Sequence, residues 1–219
     1  MLTYILEYSI FKLDRKIKEK QLIRKIVSIY VERSIVMTVI YSDFGDTDTK
    51  VLKNIWKDLD VKEVRLTTNG NISMKKINKA IYDEEDTIIF CGHGSGEGCW
   101  NPSWNSGEFY TLSARNLRLL RAKKVIGIWC HASDFSKKYD VPGFFSYMFI
   151  SNPGEAKGLG ITGVPFNEIT KSEIKFCNIL NDLLKKDVPL SEWRGVVLDN
   201  MDASNPVEEF NYSQVYYKE

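Results

Sequence analysis

At 219 residues the chain suits one domain, or one domain with an appendage. Thirty lysines and arginines against 29 aspartates and glutamates leave no global field, so net charge implies neither nucleic acid nor an anionic membrane as a partner. Four cysteines make no disulfide scaffold, residues 34–42 are too short an apolar stretch to span a bilayer, and no secretory signal is present, so a cytoplasmic protein is expected.

Residues 1–33 read as an accessory amphipathic helix. Leu2, Ile5, Leu6, Leu13, Ile17, Ile23, Val27 and Tyr30 recur at three-to-four spacing, with lysines and arginines between them. Such a face is either solvated or made for a partner or a membrane surface. The main domain, residues 34–219, opens with a strand over 35–41 and a turn, Ser42-Asp43-Phe44-Gly45-Asp46. A helix carrying Val51, Leu52, Ile55, Trp56 and Leu59 follows, then a strand over 61–67 and a helix that Ser73 can cap.

Thr87 to Cys91 is a short apolar run that stops at Gly92-His93-Gly94-Ser95-Gly96, and Val125 to Trp129 is a second that stops at Cys130-His131. Both read as buried parallel strands. Between them, residues 95–110 read as a long functional loop, and Ser113 as the cap of a helix with Leu112 and Leu117 as a hydrophobic staple. Past Cys130 the pattern predicts an apolar run over 144–150, a glycine-containing strand over 156–164, and a helix opened by a capping box, Thr170-Lys171-Ser172-Glu173. The alternation predicts an α/β fold with a mostly parallel sheet and helices on both faces.

Parallel neighbours end on the same edge, so His93 and Cys130, 37 positions apart, are expected side by side where open α/β sheets place ligands. A thiol beside an imidazole makes a nucleophile–base pair in outline, and the backbone amides of Gly94 and Cys130 are candidate oxyanion donors. Each residue also has a plainer use: cysteine as a small buried hydrophobe, histidine in a turn. Asp43, Asp46 and Asp48 follow the first strand. One of them could orient His93 or read a basic substrate side chain, though aspartates also simply favour turns. Trp100 and Trp104 could line a substrate cleft or cover the core. Cys91, His93, Cys99, Cys130 and His131 lack a standard zinc spacing, and the alternating glycines from Gly92 to Gly98 lack the lysine and helix of a phosphate loop.

An apolar run ending in His93-Gly94, then another ending in Cys130, resembles the caspase-like cysteine peptidases of clan CD: caspases, metacaspases, legumains, and clostripain and gingipain relatives. The stretch 143–151 followed by Glu155-Ala156 resembles uncharacterised bacterial members, and the likeness spans about residues 35 to 185. The resemblance implies a caspase-like three-layer sandwich and hydrolysis of a protein or peptide substrate after a particular P1 side chain. It implies a Cys130–His93 dyad with no obligatory third member and no metal cofactor. The chain departs from the pattern at Trp129, at the second histidine His131, and in lacking paired arginines that would bind a P1 aspartate. A catalytically silent binding module of this fold is the alternative, and a zinc-dependent hydrolase a further one.

Overall fold

The computed structural model describes residues 37–70, 72–103 and 108–219. The expected N-terminal helix and Trp104 lie outside the described residues.

Six strands make the main sheet. In chain order the strands are β1 (Met37–Asp43), β2 (Val61–Thr67), β3 (Thr87–Cys91), β4 (Gly94–Ser95), β5 (Gly98–Trp100), β6 (Tyr110–Ser113), β7 (Lys124–Ile128), β8 (Gly143–Phe145) and β9 (Tyr216–Lys218). The sheet runs β2-β1-β3-β7-β8-β9, parallel from β2 to β8, with β9 antiparallel at the edge. Among the described residues the α-helices are α1 (Thr47–Val51), α2 (Met74–Asp83), α3 (Ala132–Tyr139), α4 (Pro153–Gly158), α5 (Phe166–Lys185), α6 (Leu190–Asp199) and α7 (Pro206–Ser213). None of the described helices is long and apolar enough to cross a membrane.

The central strands are buried on both faces, as uninterrupted apolar runs require. Val39, Tyr41, Ile89, Cys91, Ile126 and Phe144 form one core with Phe176, Leu180 and Trp193 of α5 and α6. Ile40, Ile88, Phe90, Val125 and Phe145 form the other with Ile77 and Ile81 of α2 and Phe135 of α3. Period-two alternation thus sorts each strand's side chains between two helical layers. Fully burying each aliphatic side chain contributes about 1.5–3 kcal/mol, which makes this double core the main source of stability.

Several expected elements differ. Residues 95–110 are not one loop: β4, β5 and β6 form a small antiparallel sheet, and Cys99 and Leu112 pack it onto the second core. The predicted helix after Ser113 shrinks to a single 3-10 turn, Leu117–Leu119. Ser113 itself ends a strand, its amide donating to Asn116 Oδ1 at 2.9 Å. The first helix tightens into a 3-10 segment, Leu52–Trp56, after five residues. In place of a strand over 156–164, α4 starts at Pro153 under an Asn152 cap. The capping-box pattern at Thr170 lies inside α5, which begins at Phe166. Thr170 Oγ1 donates back to the Phe166 carbonyl at 3.1 Å, and Glu173 is 5 % exposed. The C-terminal stretch forms α7 and the antiparallel edge strand.

Candidate active site

The sheet order reverses between β1 and β3, so their carboxyl ends diverge into a crevice of the kind that receives ligands in open α/β sheets. β3 and β7 pair in parallel with Cys91 opposite Ile128, and the Gly92 amide extends the ladder by donating to the Ile128 carbonyl at 3.1 Å. His93 and Cys130 therefore leave adjacent strands at matching positions. Both line one cleft.

His93 is held by the turn after β1. Its Nε2 lies 2.8 Å from Asp46 Oδ2, and its ring meets Phe44 edge-to-face at 4.9 Å. Asp46 is also the N-cap of α1: its Oδ1 accepts from the Thr49 amide at 2.8 Å and from Thr49 Oγ1 at 2.7 Å. Desolvation pushes the Asp46 carboxyl up, but the Thr49 and His93 hydrogen bonds outweigh it and hold the group below the usual carboxylate range. An ionised Asp46 on Nε2 favours the proton there and leaves the lone pair on Nδ1. Nδ1 makes no hydrogen bond among the described residues.

Cys130 sits in the tight turn between β7 and α3. His131 follows at φ 66° and ψ 24°, a left-handed conformation sparsely used by residues with a Cβ. Asp134 Oδ2, 2.9 Å from His131 Nδ1, and the Tyr147 ring, 4.8 Å from its ring, hold that side chain aside. Ser146 pins the turn from β8: its Oγ accepts from the Trp129 amide at 3.1 Å and donates to the Trp129 carbonyl at 2.9 Å. The Cys130 amide makes no hydrogen bond among the described residues. The thiol's pKa is raised, first by burial and further by Glu155 and Asp48, while the Phe149 amide pulls it back. No hydrogen bond joins the thiol to His93.

The other expected site residues fall elsewhere. Gly94 is buried outside the cleft lining, where an added Cβ would come within 2.1 Å of Trp129 Cδ1; the glycine that lines the cleft is Gly92. In the β4–β5 ladder the Trp100 amide donates to the His93 carbonyl at 2.8 Å, so Gly94 and Cys99 form the next, non-hydrogen-bonded pair, and the Gly94 amide stays out of the ladder. Asp43, 2 % exposed, does not line the cleft. It accepts from Arg65 Nε at 2.8 Å and from the Gly45 amide at 2.9 Å. Trp100 lies on β5, exposed and away from the cleft. Among the described residues no three His, Cys, Asp or Glu side chains are grouped as a metal ion would need, and Cys91 and Cys99 are fully buried.

Among the lining residues that sequence reading did not assign to the site are Ser151, Glu155 and Glu173. Ser151 Oγ lies 2.8 Å from Asp48 Oδ2 and 2.9 Å from Glu155 Oε2, which ties α1 to α4. Burial beside Asp48 and Glu155 pushes Glu173 up to about 9. The signal for Glu173 is a carboxylate among inward positions of α5, between Ile169 and Phe176, where an amphipathic helix should be apolar.

No family model matches the chain, and no curated protein matches it.

Proposed function

We propose that the chain is a caspase-like cysteine peptidase in which Cys130 is the nucleophile and His93 the general base. What carries this is one placement: the thiol and the imidazole leave register-matched ends of β3 and β7 and line the same cleft. With Asp46 on Nε2, His93 Nδ1 is the nitrogen available to take the thiol proton. The thiolate then attacks the scissile carbonyl carbon, and the Cys130 amide is free to donate to the developing oxyanion. His93 returns the proton to the leaving amine, and water, deprotonated by His93, releases the acyl group from sulfur. In this scheme Asp46 positions the ring, which the resemblance to clan CD did not require.

Two features favour a silent binding module of the same fold: burial raises the thiol's pKa, and no hydrogen bond joins it to His93. Cleavage of a fluorogenic peptide library by the wild-type chain, lost in Cys130→Ala, decides for the enzyme. Peptide binding without cleavage by either protein decides for the module.

A further inference from the structure

The main sheet has two outer edges, and they are built differently. β9 is three residues long, too short to offer another chain much of a ladder. β2 is seven residues long, pairs with β1 in an unbroken register from Val61 to Thr67, and contains neither proline nor bulge. Among the described residues no strand lies along its outer side. Its unpaired amides and carbonyls are a template for one more strand. Val64 and Leu66 turn into the second core, while Lys62, Glu63 and Arg65 are exposed. Two of these charges are already held in place. Glu63 Oε2 accepts from Trp56 Nε1 at 2.9 Å. Arg65 donates to Asp43 Oδ2 through Nε, at 2.8 Å, and through Nη2. Glu63 Oε1 and Arg65 Nη1 make no hydrogen bond among the described residues and remain open to a partner.

We propose that β2 pairs antiparallel with β2 of a second copy of this chain, so that the two six-stranded sheets run on as one across a two-fold axis. In a continuous sheet, side chains opposite one another lie on the same face, so the axis must pass through a residue rather than between two. An axis through Glu63 would set glutamate against glutamate, and one through Arg65 would set arginine against arginine. An axis through Val64 avoids both clashes and pairs the strand along its whole length. It sets Val61 against Thr67, Lys62 against Leu66 and Val64 against itself. It also sets Glu63 of each copy against Arg65 of the other, so the unlike pair occurs twice. Charges that guard an edge against indiscriminate pairing are here placed to accept one register. Because Trp56 and Asp43 already pin the two side chains, little rotamer freedom is lost when they meet. This dimer is independent of the peptidase reading.

The test is sedimentation velocity of the full chain over a concentration series, with hydrogen exchange of the β2 amides followed at the same concentrations. The expected result is a reversible monomer–dimer equilibrium in which the β2 amides exchange more slowly as dimer forms. Glu63→Arg turns both unlike pairs into like ones, so the dissociation constant should rise at least about tenfold. Arg65→Glu should do the same. An equal mixture of the two variants should recover a dimer, because each then offers the charges that the other lacks. Thermal melts confirm that each variant folds. Should Arg65→Glu fail to fold beside Asp43, Glu63→Arg and the exchange series decide by themselves. A monomer at every concentration up to about 1 mM overturns the proposal. So does a dimer indifferent to Glu63→Arg, or one whose formation leaves exchange of the β2 amides unchanged.

Discussion

Cys91 is the register partner of Ile128, and two residues beyond each stand His93 and Cys130. A one-residue slip in that pairing would reverse which sheet face every side chain of one strand occupies, and both faces here are buried. The same packing that forms the core therefore fixes the two candidate catalytic residues at the same edge of the sheet, lining one cleft. Asp46 completes the arrangement from the strand on the other side of β3.

Replacing Asp46 with asparagine keeps the helix-cap oxygen for Thr49 but presents an amide donor to His93 Nε2. That favours the tautomer with its proton on Nδ1, the wrong one for accepting from a thiol. We expect peptide cleavage to fall by about 10²-fold or more, in the range lost with a general base. Alkylation of Cys130 by iodoacetamide should require higher pH. An unchanged alkylation profile would leave Asp46 as a cap alone.

Glu173 supplies a pH signature in stability. Its folded pKa is raised, so the folded chain keeps a proton that the unfolded chain has lost. The contribution is fully present below the ordinary glutamate range and is lost as pH rises toward about 9. Glu173→Gln removes this titration. Urea unfolding at pH 5 and pH 8 should show the variant gaining about 2–4 kcal/mol on the wild type at the higher pH. Parallel curves for the two proteins would mean that Glu173 is solvated.

Ser146→Ala strips the Trp129 amide and carbonyl of a buried partner. Leaving such groups unsatisfied costs about 1–3 kcal/mol. The expected melt is correspondingly lower, with slower alkylation of Cys130 because the turn that carries it loosens. A melt unchanged within error would show that another group takes over both bonds.

Asp43→Asn separates the two readings of the acidic turn. Asp43 pairs with the half-exposed Arg65, so the change should cost about 1 kcal/mol of stability and leave P1 preference untouched. A changed preference would return Asp43 to the substrate site.

Much of this was legible in the sequence, for a physical reason. Strands buried on both faces must be apolar throughout, so β1, β3 and β7 stand out, and parallel pairing then fixes where their ends go. The small sheet of β4 to β6 was hidden because its strands are two to four residues long, within a glycine-rich stretch that reads equally as loop. Thr170 to Glu173 misled because a helix interior can carry the same residue types as a helix start. The decisive features, Pro165 in extended conformation and Phe166 at the first turn, lie upstream of the pattern. The acidic lining was legible only in part: Asp48 stood in the turn cluster after β1 and Glu173 broke the apolar face of α5, but Asp48, Glu155 and Glu173 sit on three helices far apart in sequence, and tertiary packing alone brings them to one cleft.

The most direct measurement is peptide mapping by mass spectrometry after treatment with a panel of peptidyl acyloxymethyl ketones that vary at P1. The geometry predicts an adduct on Cys130, with Cys91, Cys99 and Cys177 unlabelled in their buried positions, and a labelling rate that collapses in His93→Ala. Labelling of Cys130 that is indifferent to His93, or no adduct on Cys130 with any P1 side chain, would contradict it.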